Sequence, residues 1–350
     1  MKAFKVFVSI ALLSAACLSV RAAEAPVQAE ISSKSVRDDL FPKTPVHFEG
    51  GVRAIPDLEY ANIIGYRSLT LDLYAPEQPA AGGKGRPLVV WVHGGGWDRG
   101  DSRASGAFAN YPAVLASLAA RGYVVASVNY RLSAEAKFPA ALRDVKSAIR
   151  HLRVNAAKYG IDPNNVVLWG GSAGGHLASL AATTCDDPAF EPEASTGRLP
   201  KSQADKAKPP AASDCVRAAV IWYGVFDLTD YAKPSEKSAD EQAGVVRGLS
   251  RFLDCDPASC AAGVQASPIT HISAKTPPML LIHGTADKTV PVRQSEQMAA
   301  ALKKAGVSVE TLYIPGADHG LFAGDPEATR AASLQALQRS FDYIDAATRK

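Results

Sequence analysis

The chain has 350 residues, 47% of them hydrophobic, and carries a formal net charge of +3 at pH 7. That apolar content suffices for one large single-core domain. A net charge so small and so dispersed argues against a nucleic-acid partner.

The chain opens with the basic segment Met1-Lys2-Ala3-Phe4-Lys5, runs almost uncharged through residues 6–20, and then reaches Ala22-Ala23-Glu24-Ala25. A basic start, an apolar stretch too short to span a bilayer comfortably, and small residues suited to cleavage predict a signal peptide over residues 1–25. The expectation is therefore an exported protein, periplasmic or extracellular, with a single catalytic domain over residues 26–350. Ser14 stands three residues before Cys17, where a lipoprotein signal wants an aliphatic residue, which argues against a lipid anchor at Cys17. No later run is long enough for a membrane helix.

Two strands are expected near residues 58–64 and 68–74. A third, residues 87–92, ends in His93-Gly94-Gly95-Gly96-Trp97. Consecutive glycines leave backbone N–H groups uncovered, as an acyl-transfer site needs where a carbonyl oxygen becomes negative. A helix over 108–121, a strand over 123–128 and a helix over 140–158 follow. The apolar run 166–169 then leads into Gly170-Gly171-Ser172-Ala173-Gly174 and a helical stretch at 176–184. A serine between small residues at a strand-to-helix turn is a candidate nucleophile.

Residues 186–214, rich in Pro, Lys, Ala and Ser, read as a solvated loop at the end of the sheet remote from the chemistry. A strand at 218–223 leads into residues 224–276, which leave the catalytic end of the sheet and are expected to form a cap. Two further strands, 279–282 and 309–315, run into His283-Gly284-Thr285-Ala286-Asp287 and Gly316-Ala317-Asp318-His319-Gly320. This alternation predicts the α/β class: a mainly parallel sheet of about eight strands with helices on both faces. Function in such sheets gathers at the carboxyl ends of the strands.

A nucleophilic serine needs a base, and the base a carboxylate. In the order serine, acid, histidine, only His319 of the seven histidines lies after Asp287. The predicted triad is Ser172, Asp287 and His319. Asp318, adjacent to the histidine, and Asp227, after the strand at 218–223, are weaker candidates for the acid. The oxyanion donors are expected to be the backbone N–H groups of Ala173 and of Gly94 or Gly95. Trp97, Tyr223, Phe226 and Phe322 fall beside these loops and are candidates to line an aromatic acyl pocket. Arg131 reads as a structural tie more readily than as an anion site.

Setting Cys17 aside, Cys185, Cys215, Cys255 and Cys260 remain. An even count in an exported chain predicts disulfides, and proximity favours Cys255–Cys260, leaving Cys185–Cys215. No histidine lies at metal-ligand spacing from them, so no metal is expected.

Taken together, His93 to Trp97, Val128-Asn129-Tyr130-Arg131-Leu132, Phe138-Pro139-Ala140, the Ser172 elbow and the Asp287 and His319 loops resemble those of α/β-hydrolases of the esterase/lipase branch. The resemblance is closest to relatives of hormone-sensitive lipase and to carbohydrate acetyl and feruloyl esterases, and covers roughly residues 58–347. Many hormone-sensitive-lipase relatives carry an acidic residue where this chain has Gly171, and a large N-terminal helical cap for which residues 26–57 leave little room. Both departures favour the carbohydrate-esterase side. The resemblance implies an exported, cofactor-free serine carboxylesterase acting on short-chain acyl or feruloyl esters, small or carbohydrate. A serine peptidase or amidase on the same scaffold, and a catalytically silent binding protein, are the alternatives.

Overall fold

The sheet is built from runs such as Leu88-Val89-Val90-Trp91-Val92, apolar at every position and therefore suited to burial on both faces. A computed structural model describes residues 44–349, apart from 84, 200–202, 204–205 and 235–236. The proposed leader and Cys17 lie outside the described residues. Strands β1 (Val46–Phe48), β2 (Val52–Ala61), β3 (Leu69–Pro76), β4 (Arg86–Val92), β5 (Val124–Val128), β6 (Ile161–Gly171), β7 (Ala218–Trp222), β8 (Met279–Gly284) and β9 (Val309–Ile314) form one sheet in the order β1-β2-β3-β5-β4-β6-β7-β8-β9. The strands from β5 to β9 in that order run parallel, whereas β1, β2 and β3 pair antiparallel at one edge.

Period-two alternation sends Val90, Leu168 and Ile221 to one face and Trp91, Trp169 and Trp222 to the other, giving one apolar core on each side. Helices α1 (Tyr111–Ala120), α2 (Ala140–Val154), α3 (Ala173–Thr183), α4 (Ala239–Leu253), α5 (Arg293–Lys304) and α6 (Pro326–Thr348) are the main helices. Local chemistry sets several of their starts. Asn110 accepts from Ala113 N at α1, Ser238 and Glu241 form a capping box at α4, and Asp325 caps α6 with Pro326 next in line.

Two details depart from the pattern expected along the chain. The sheet has nine strands rather than about eight, because β1 adds a short edge strand, and β2 begins at Val52 instead of near residue 58. Pro56 and Asp57 read as strand breakers, but the register with β3 slips between Ile55 and Leu58, and a bulge accommodates both residues.

The connection 186–214 is also more firmly held than a solvated loop, although much of residues 191–212 stays exposed. Asp214 is fully buried and pairs with Lys146 at 2.8 Å and Arg150 at 2.7 Å, both on α2. Glu191 pairs with Arg150 at 2.6 Å, and Phe190 is buried. Cys185 and Cys215, at the two ends of this connection, are joined, as are Cys255 and Cys260. Among the described residues no helix is long and apolar enough to cross a membrane.

Candidate active site

Ser172 sits between β6 and α3 with φ 57° and ψ −124°, a backbone conformation that a non-glycine residue holds only under external constraint. Its N–H donates to Trp222 O on β7 at 2.9 Å, and its carbonyl accepts from His176 N at 2.9 Å. The neighbouring glycines are needed for approach. A Cβ at Gly174 would strike the carbonyl oxygens of Val92 and His93, and one at Gly170 would strike the carbonyl of Gly174. The turn thereby projects the Ser172 hydroxyl above the carboxyl ends of the strands.

The turn after β9 brings His319 over the serine, with Nε2 2.9 Å from Ser172 Oγ. Nδ1 of the same ring lies 2.8 Å from Asp287 Oδ2, on the loop that follows β8. The Asp287 side chain is fully buried. Burial pushes its carboxyl up, but hydrogen bonds from His283 and His319 and their fields outweigh this and hold it down at about 2. Its second oxygen accepts from Thr289 N at 2.9 Å and Val290 N at 2.8 Å. An ionised Asp287 only accepts, so His319 carries its proton on Nδ1 and presents a bare Nε2 to the serine hydroxyl. Tyr223 flanks the His319 ring edge to face at 4.9 Å.

The rival acids have other work. Asp318 accepts from Lys288 N at 2.8 Å and from His319 N at 2.7 Å, and Asp227 caps the turn that begins at Leu228. His283 backs Asp287 from behind, with Nε2 3.2 Å from Oδ2 and Nδ1 2.7 Å from Ser295 Oγ.

The loop after β4 lies directly against the elbow. A Cβ at Gly94 would stand 2.9 Å from Gly171 O and 3.2 Å from Ser172 Cβ, and Gly95 has φ +115°, which disfavours any side chain. Ala173 N–H is the first of α3 and has no carbonyl one turn back to bond. The backbone of Gly94 and the first N–H of α3 thus lie beside Ser172 from two elements.

A cleft of about 600 Å³ opens over this arrangement, lined among others by Gly94, Gly95, Ser172, Ala173 and His319. Of the four aromatic residues expected there, Trp97, Tyr223 and Phe322 line it. Phe226 does not: it is fully buried and packs in the core under the cap segment, with its N–H donating to Gln294 Oε1 at 2.9 Å. Val225 takes the wall position instead.

Trp97 is held as well as placed. Its Nε1–H donates to His176 Nδ1 at 3.0 Å and its ring stacks on Phe252 of α4 at 4.9 Å. His176 in turn lies 2.6 Å from Ala266 O through Nε2. Arg131 is buried against Asp144 at 2.6 Å and Glu193 at 2.9 Å, away from the cleft, as a structural tie.

Wall residues not singled out along the chain include Ser105, Gly106, Tyr231 and Val290. Ser105, Gly106 and Val290 lie in loops, the one signal the sequence offers for them, whereas Tyr231 ends a short helix. Among the described residues, the one grouping able to bring three ligand atoms together is Cys185, Asp186 and Cys215, and its two sulfurs are joined to each other.

The family described as BD-FAE matches residues 71–302. Esterase LipQ of Mycobacterium tuberculosis is 34% identical over 256 residues, covering 73% of this chain and 55% of that protein. The chain spans about half the length of the curated relatives it matches. Among solved structures, a truncated carbohydrate esterase from gut microbiota superimposes with a TM-score of 0.64 at 27% identity, covering 85% of this chain and 96% of that one. The propionate-bound Est2 esterase of Thermogutta terrifontis gives 0.59 at 28% identity, over 82% of this chain and 92% of that one. A nine-stranded, mostly parallel sheet, a strained serine elbow, and matches of this extent lead to one assignment: the chain belongs to the BD-FAE family, within the esterase branch of the α/β-hydrolases.

Proposed function

We propose that the protein is an exported serine carboxylesterase that hydrolyses short-chain acyl or feruloyl esters, small or carried on carbohydrate, through an acyl-enzyme. The observation that carries this reading is the unbroken relay from Ser172 Oγ to His319 Nε2, at 2.9 Å, and from His319 Nδ1 to Asp287 Oδ2, at 2.8 Å, on the floor of an open cleft. Ser172 attacks the ester carbonyl while His319 takes its proton, and Asp287 stabilises the imidazolium that results. The N–H groups of Ala173 and of Gly94 or Gly95 receive the developing oxyanion. His319 returns the proton to the leaving alcohol, and water repeats the cycle on the acyl-serine. Every step uses groups of this chain, so the proposal calls for no cofactor or metal.

The acyl preference rests on cleft size and lining. About 600 Å³ walled by Trp97, Tyr223 and Phe322 suits a short acyl group or one aromatic acid better than a long alkyl chain. Residues 224–276 act as the cap, contributing Val225 and Tyr231 to the cleft and bracing Trp97 through Phe252. That the related Est2 esterase was solved with propionate and with butyrate supports the short-acyl reading, and the gut-microbiota carbohydrate esterase supports the sugar-ester one. Two disulfides support an oxidising compartment, hence export.

A panel of acetyl, butyryl, decanoyl and feruloyl esters beside an aminoacyl anilide tests this. The expected result is Ser172-dependent turnover of acetyl, butyryl or feruloyl esters with a fall toward decanoyl. Each buried methylene is worth about 0.8 kcal/mol, so a lipase would show efficiency climbing with chain length. Such a climb with feruloyl esters untouched would replace the reading with a lipase, and anilide turnover without ester turnover would replace it with a peptidase.

A further inference from the structure

His283 is the next-to-last residue of β8, four positions before Asp287, and is fully buried. Its Nε2 lies 2.8 Å from Val290 O and 3.2 Å from Asp287 Oδ2. A carbonyl and an ionised carboxylate can only accept, so Nε2 carries a proton. Nδ1 faces the equally buried Ser295 hydroxyl of α5 at 2.7 Å.

A histidine that merely filled the core would be satisfied by Val290 O and Ser295 Oγ. The third contact sets this one apart, because Oδ2 is the oxygen that also faces His319 Nδ1, at 2.8 Å. That oxygen sits between two imidazoles, one bordering the cleft and one buried in the fold. Val290 closes the ring of contacts: its N–H donates to Asp287 Oδ1 at 2.8 Å, and its carbonyl accepts from His283 Nε2. His283 thus meets one carboxylate oxygen directly and the other through Val290.

What this contact contributes follows from where the two residues sit. Asp287 rides on a turn beyond the end of β8, whereas His283 belongs to the strand itself, which is paired with β7 on one side and β9 on the other. The relay needs Oδ2 in one place. Moving a group of this kind by about 1 Å can cost on the order of 10²-fold in rate, so a fixed reference for the carboxylate is worth a large factor in turnover.

We propose that His283 is a positioning residue of the triad, fixing Asp287 Oδ2 against His319 Nδ1 by tying the 287–290 turn to β8. The proposal rests on the esterase reading above. It adds a residue that touches neither the serine nor the cleft and acts on turnover only through Asp287.

The test compares His283→Gln with His283→Asn. A glutamine amide carries its donor as far along the side chain as Nε2, whereas that of asparagine ends at the reach of Nδ1. Thermal melts report folding, and kcat and KM are measured on 4-nitrophenyl acetate. His283→Asn should lose about 30-fold or more in kcat with KM within about threefold, and His283→Gln should stay within about fivefold of the wild-type kcat. Added to Asp287→Asn, His283→Asn should cost less than about threefold more, since it acts through the carboxylate that the first change has already removed. Equal losses in the two single variants, a folded His283→Asn protein within about threefold of wild-type kcat, a full multiplicative loss in the double variant, or a His283→Asn protein that does not fold would each overturn the positioning role and leave the triad standing. Absence of Ser172-dependent 4-nitrophenyl acetate hydrolysis in the wild type would overturn the esterase reading and the proposal with it.

Discussion

Replacing Asp287 with asparagine changes one atom, and the structure dictates which. Oδ1 accepts backbone N–H groups from Thr289 and Val290 at 2.9 and 2.8 Å, so an amide at this position must keep its carbonyl oxygen there. The reverse orientation would set an NH₂ group against two N–H donors, at about 1–3 kcal/mol for each unmet group. The amide nitrogen of Asp287→Asn therefore takes the place of Oδ2, 2.8 Å from His319 Nδ1. A donor at that point forces Nδ1 to accept and moves the histidine proton to Nε2, 2.9 Å from Ser172 Oγ, where it can no longer receive the serine proton. The same change in a serine-protease triad lowers kcat by ~10⁴-fold, about 5.4 kcal/mol at 1.36 kcal/mol per tenfold, and a loss of that order is expected here. The assay is kcat for 4-nitrophenyl acetate at mildly alkaline pH, with circular dichroism confirming an unchanged fold. A folded Asp287→Asn protein within tenfold of wild-type kcat would refute the triad as assigned.

Ser172→Ala should cost more, on the order of 10⁶-fold, because it removes the hydroxyl that His319 activates; a tenth of wild-type turnover remaining would refute it. Acid should destabilise the fold before carboxylates titrate. Burial holds both His93 and His176 at about 4, below the ordinary 6.5, so the unfolded chain binds these protons first as pH falls. Their stabilising contribution is full above pH 6.5 and is lost down to about pH 4, up to ~3 kcal/mol for each, seen as a falling Tm; a flat Tm across that window would contradict it. Reduction of Cys185–Cys215, which spans a sequence separation of 30, should lower stability by about 3–4 kcal/mol, and four alkylatable thiols in the unreduced protein would contradict both bridges.

The chemistry of the site was legible in the sequence because it is written locally. A serine forced to positive φ needs small neighbours, an N–H cradle needs uncovered glycines, and both must follow buried strands that read as unbroken apolar runs. Chain order then left a single histidine after Asp287, and proximity suggested the cysteine pairs that the structure joins. Side-chain direction in loops was not written there. Tyr223 and Phe226 are both aromatic and both follow β7, yet Tyr223 lines the cleft while Phe226 packs in the core. The fastening of residues 186–214 was hidden for a related reason. Asp214 meets Lys146 and Arg150 across 68 and 64 positions of chain, and in sequence a charge shows its sign but not its partner. Local sequence determined which residues can do chemistry, whereas packing between distant segments decided which of their neighbours form the walls, because a wall is made wherever two elements happen to leave space between them.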